Sequence, residues 1–158
     1  MPSTREGEAV FLGIEVELIW YDQDVVEYRF TSSNGKFCGQ AEAYLSHGEI
    51  FTLAENLKGF PLKAGDSRSF ELGTFDPKCA GGGLRLRFSC IDSVGHSAVD
   101  LDLRRDSRDI KGYVESVAMR IPVEAGAVDS FVAGIAAIGL NVGARAHLRM
   151  GPRSLPKH

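Results

Sequence analysis

Apolar and polar residues alternate with period two through the opening third of the chain. Ile14, Val16, Leu18 and Trp20 fall on one face and Glu15, Glu17 and Ile19 on the other, which predicts a half-buried strand with Trp20 in the core. Beyond the polar turn "YDQD", Val26, Tyr28 and Phe30 alternate with Glu27 and Arg29, and Asn34-Gly35 is the strongest short hairpin signal in the chain. A third strand runs from Phe37 to about Leu45, so the chain opens as a three-stranded meander.

The period then changes. Ser46 and Glu49 have capping-box spacing, Leu45 and Ile50 sit where a hydrophobic staple would, and Ile50, Leu53, Ala54 and Leu57 recur at helical spacing until Gly59 and Pro61. Strand alternation resumes at "SRSFELGTF" and is interrupted by "DPKCAGGG", read as a flexible connection. It returns with Leu84, Leu86, Phe88 and Cys90, continues with Val99, Leu101 and Leu103, and recurs with Val117, Met119 and Ile121 before Pro122. A second helix is predicted from about Glu124 to Ile138, buried through Val128, Phe131, Val132 and Ile135, with Gly139 as its cap. Gly134 weakens that helix by about 1 kcal/mol relative to alanine, so tertiary packing must hold it. There is room for a short closing strand from about Ala144 to Met150.

Strands that follow one another through short turns argue for an antiparallel sheet with helices on one face. The expectation is an α+β fold: a mainly antiparallel sheet of seven or eight strands in the order βββ-α-ββββ-α, with room for a final β. It forms a single domain over 1–150, and 151–158 is expected to be a disordered tail.

Composition narrows the partners without naming one. Eighteen basic and twenty-one acidic residues leave a net charge of -3, which is against nucleic acid and anionic membrane surfaces as partners. The most apolar segment, "AVDSFVAGIAAIGL", contains Asp129 and is shorter than the roughly 20 residues of a bilayer span. Cys38, Cys79 and Cys90 form no C-x-x-C pair and read as thiols in a reducing cytoplasm. No metal or other cofactor is called for.

Chemistry concentrates in "IDSVGHSAVDLDLRRD", which brings a histidine, four aspartates and two arginines together. If Asp92 to Gly95 is the loop of a hairpin, Phe88 faces Val99, Leu86 faces Leu101, Arg87 faces Asp100 and Arg85 faces Asp102. Most of the cluster then separates into an apolar face and an Arg/Asp ladder. Acids beside arginines are poor bases at neutral pH. His96 and Asp100, four residues apart on a strand, lie about 13 Å apart, too far for one ion. Only Asp92 and His96, flanking the turn, remain as a candidate binding pair. Tyr21, turned opposite to Trp20, is a candidate interface residue. His47 reads as an exposed residue in the first helical turn, and Arg145, His147 and Arg149 as a solvated basic face.

The succession "GEIFTLAENL", "SFELG", "GGLRLRFSCIDSVGHSAVDLDLR" and "VEAGAVDSFVAGIAAI", over residues 46–139, resembles a family of small uncharacterised bacterial α+β proteins of unknown function. Asp92, Gly95 and His96 match its D-x-x-G-H hairpin motif. The resemblance implies the α+β fold and no activity. With no legible catalytic constellation, the expectation is a non-enzymatic domain binding a protein partner or itself. The alternative is a small-ligand or hydrolytic site around Asp92 and His96.

Overall fold

Three strands open the chain, β1 (Gly13–Tyr21), β2 (Val25–Ser33) and β3 (Cys38–Ser46), followed by helix α1 (Glu49–Leu57). Four more strands follow, β4 (Ser67–Gly73), β5 (Gly83–Cys90), β6 (Ser97–Asp106) and β7 (Val114–Val123), then helix α2 (Ala125–Ile138) and β8 (Arg145–Arg149). The computed structural model describes residues 11–107 and 109–152. The α+β class and the order of elements are those the alternation predicts. The eight strands divide between two antiparallel sheets, however, ordered β3-β2-β1-β8 and β4-β5-β6-β7.

The division follows from where β3 runs. It lies across the ends of the second sheet's strands instead of pairing with one of them, and glycines mark the crossing. Gly39 meets Val117 of β7 and Leu103 of β6, and a Cβ on Gly73, at the end of β4, would lie 2.9 Å from that of Ala43. Gly82, just ahead of β5, donates its N–H to the Glu42 carbonyl at 2.9 Å. A Cβ there would overlap the Arg104 carbonyl oxygen and lie 2.9 Å from that of Glu42. The "CAGGG" run is therefore a close backbone contact between sheets and not a flexible connection, because only glycine lets main chain approach main chain so nearly.

The inner faces of both sheets and the inner stripes of both helices share one core, in which Tyr28, Phe30, Phe60, Phe88 and Phe131 are among the largest fully buried side chains. Each such group contributes about 1.5–3 kcal/mol on burial. Gly134 has its reason here: a Cβ would stand 3.2 Å from that of Ala146, so α2 packs close on β8 where a larger residue would crowd it.

Three local expectations are corrected. Trp20 is 45% exposed, because a register shift between Leu18 and Trp20 turns it to the outer face opposite Glu27. The capping box is only half formed: Ser46 is still paired to Val25 in β3, and α1 begins after Gly48 in the left-handed conformation. The Glu49 carboxylate nevertheless reaches back to accept from the Ser46 N–H at 3.0 Å and hydroxyl at 3.2 Å. The face of β8 read as basic and solvated is paired to acids of β1: His147 meets Glu15 at 2.9 Å, and Arg145 meets Glu15 and Glu17 at 3.9 and 3.7 Å. Of the proposed tail, Gly151 donates to the Pro122 carbonyl at 2.7 Å, and residues 153–158 lie outside the described residues. No helix among the described residues is long and apolar enough to cross a membrane.

Candidate binding groove at the hairpin turn

The β5–β6 hairpin has the register deduced from its turn. Phe88 pairs with Val99, Leu86 with Leu101, Arg87 with Asp100 and Arg85 with Asp102. The Ile91 N–H closes the loop on the His96 carbonyl at 2.7 Å, and Gly95 takes φ +88°. The charged ladder forms, but its arginines choose other partners. Asp100 holds Arg120 of β7 through two bonds of 2.7 and 3.1 Å. Arg85 takes Glu71 of β4 at 2.7 Å and lies 3.8 Å over the Phe75 ring. β5 and β6 are inner strands with two neighbours each, and alternation read along one hairpin sees only one of them.

Asp92 and His96 come together as expected. One carboxylate oxygen of Asp92 accepts from the Val94 and His96 backbone N–H groups at 3.0 and 3.1 Å, and the other meets Nδ1 of His96 at 2.5 Å. The His96 ring beside it, aided by those two N–H groups, holds the Asp92 carboxyl below the usual aspartate range. An ionised carboxylate only accepts, so the ring proton sits on Nδ1 and Nε2 is left to the surroundings. Both side chains are open to water, His96 by 67% and Asp92 by 40%.

An oriented histidine can serve as general base to a side-chain nucleophile, a water or a bound substrate. Among the described residues no side-chain nucleophile is bonded to Nε2 of His96. Ser97 is buried and donates its hydroxyl to the Gly95 carbonyl at 3.2 Å, and the buried Cys90 thiol donates to the Asp92 carbonyl at 3.3 Å. No group of three or more metal-ligating side chains is found among the described residues. Tyr21 is not part of this site: it stands at the far end of β1, 40% exposed, edge-on to the His47 ring at 6.4 Å. His47 itself is exposed and bonded to the Asp22 carbonyl at 2.7 Å.

What His96 does join is an open groove of about 970 Å³. Ile91 and Val94, 63% and 77% exposed, form its hairpin side. Arg120 and Pro122 of β7, Ala125 and Gly126 at the start of α2, and Asn34 also line it. Ile91, Val94 and Arg120 were not singled out from the sequence, and Asn34 was read only as a turn residue. The signal available was Ile91 and Val94 themselves, two large apolar residues in a turn, where polar residues serve the backbone better. Asn34 is legible as a turn residue, but its meeting with Arg120, 86 positions along the chain, leaves no local trace. Comparison with known proteins finds no matching family model, no matching curated protein and no matching solved structure.

Proposed function

We propose that the chain is a non-enzymatic binding domain that engages a protein partner through the groove at the hairpin turn. One observation supports this most: Ile91 and Val94 hold their side chains out at the rim of a cavity of about 970 Å³. Two of the polar groups nearby are already engaged within the chain, Arg120 on Asp100 and Asp92 on its own turn. Such a surface gains by covering apolar area. Free and exposed Cys38 and Cys79 suit a reducing compartment, and the cytoplasm is part of this reading. So is kinship with the uncharacterised bacterial family, which brings no activity with it.

The test is retention from an extract of the native cell by the wild type and by an Ile91→Asp/Val94→Asp variant, alongside light scattering after size exclusion. A partner held by the wild type and lost by the variant is the expected result. A wild type that remains monomeric and retains nothing, or a variant that retains the same set, overturns the proposal. A second reading, a small ligand held at Nε2 of His96, is supported by the alignment of that ring by Asp92. It requires that His96→Ala abolish ligand-induced stabilisation.

A further inference from the structure

The outer edge of β3 carries a second surface, distinct from the hairpin groove. In an antiparallel pair, alternate residues turn their N–H and C=O toward the neighbouring strand and away from it. Glu42 turns away from β2, since its carbonyl accepts the Gly82 N–H at 2.9 Å. Gln40 and Cys38, at the next two positions of the same parity, turn the same way, and among the described residues nothing pairs with their main-chain groups. Both residues are exposed and line a groove of about 360 Å³ whose other wall includes Val117 and the Arg105–Glu115 ion pair at 3.5 Å.

Unpaired strand edges invite other chains, and this protein guards two of its others. On β7, Pro122 has no N–H to offer, its carbonyl takes Gly151, and the Arg120 carbonyl takes Asn34 Nδ2 at 3.2 Å. The edge of β8 is five residues long with Arg145, His147 and Arg149 on it. Between Cys38 and Glu42 there is no proline, lysine or arginine.

We propose that this stretch of β3 accepts an extended strand from a protein partner, paired to Cys38 and Gln40. The occupant follows from the chemistry of the edge. Only an extended backbone presents donors and acceptors at the spacing of about 7 Å that alternate residues of a strand require. Gly82 already binds the same edge by its main chain two residues further on. The partly buried Val117 wall suits a small apolar side chain on the incoming strand.

The experiment pans a random heptapeptide phage library on the intact protein and takes the selected peptides as probes. Their binding should slow hydrogen exchange at the Cys38 and Gln40 amides, which should exchange fast in the free protein, whereas Gly39 and Ala41 should be protected throughout. Gln40→Pro removes the outward N–H and spares the ladder to β2, so it should weaken binding at least about tenfold. Gln40→Lys, a charge on the edge, is the second variant in case proline disturbs folding, and should weaken binding in the same direction. Ile91→Asp should leave binding unchanged, which separates this surface from the hairpin groove. Peptides that protect only the hairpin groove, that bind both Gln40 variants as well as the wild type, or a library without binders, each overturn the proposal.

Discussion

At Asn34 and at Asp92 the chain builds a turn with the same device. Asn34 Oδ1 accepts from the Lys36 and Phe37 N–H groups at 2.9 Å each, with Gly35 at φ +87°. Asp92 Oδ1 accepts from Val94 and His96 at 3.0 and 3.1 Å, with Gly95 at φ +88°. What differs is the second polar atom. Nδ2 of Asn34 crosses to the other sheet and donates to the Arg120 carbonyl at 3.2 Å, and the residue is only 8% exposed. The second oxygen of Asp92 stays in its own turn, on the His96 ring, in water. One turn joins two sheets and the other shapes only itself, although both open onto the same groove. The worth of a turn residue is thus set by where its remaining hydrogen-bonding capacity goes, and by how much water could replace it.

The largest effect should come from Asn34. Asn34→Ala leaves the Lys36 and Phe37 amides and the edge carbonyl of Arg120 without the partner that a side chain only 8% exposed now supplies. A loss of about 2–3 kcal/mol in urea unfolding is expected, together with faster hydrogen exchange at Lys36 and Phe37. A midpoint shift no larger than that of the corresponding Asp92 variant would break the comparison.

This contrast also marks how far the sequence could be read. Period and turn chemistry are local, and what depends on them was legible: both helices, the strand order, the Asn34-Gly35 hairpin and the whole register from Phe88 to Leu101. The Asp92–His96 pair was legible too, because it lies within one turn. The division into two sheets was not, because it turns on Gly39, Gly73 and Gly82 meeting partners distant in the chain. Trp20 was misread because a single bulge inverts the faces of a strand, and nothing in "ELIWY" announces it. The groove stayed hidden for the same reason as the sheet crossing: Asn34 and Arg120 meet over 86 positions of chain.

A smaller effect is expected at Asp92, and it should depend on pH. The folded carboxyl is held below its ordinary range, first by the His96 ring and then by the backbone N–H groups, so the unfolded chain binds the proton more readily. Its contribution is therefore present above the unfolded value of about 3.9 and disappears as pH falls through the lower folded value. Asp92→Ala should unfold at lower urea than the wild type at pH 7, and the gap should close in acid. A gap of constant size from pH 7 down to about pH 2 would mean that the charge on Asp92 contributes nothing to the turn.

The smallest effect belongs to His96→Ala, and it tests the two halves of the Asp92 interaction separately. The ring is mostly exposed, so removing it should scarcely move the urea midpoint. It should move the titration of the Asp92 carboxyl, followed by carbon-detected NMR, toward the ordinary aspartate value. The return should be partial, because the backbone N–H groups of Val94 and residue 96 remain bonded to the other oxygen. An unchanged titration would mean the ring is not coupled to the carboxylate in solution. A complete return would mean the turn itself had opened and that the Asp92 device depends on its histidine. In either case exchange protection at Lys36 and Phe37 should be unaltered, since Asn34 holds them without help from His96.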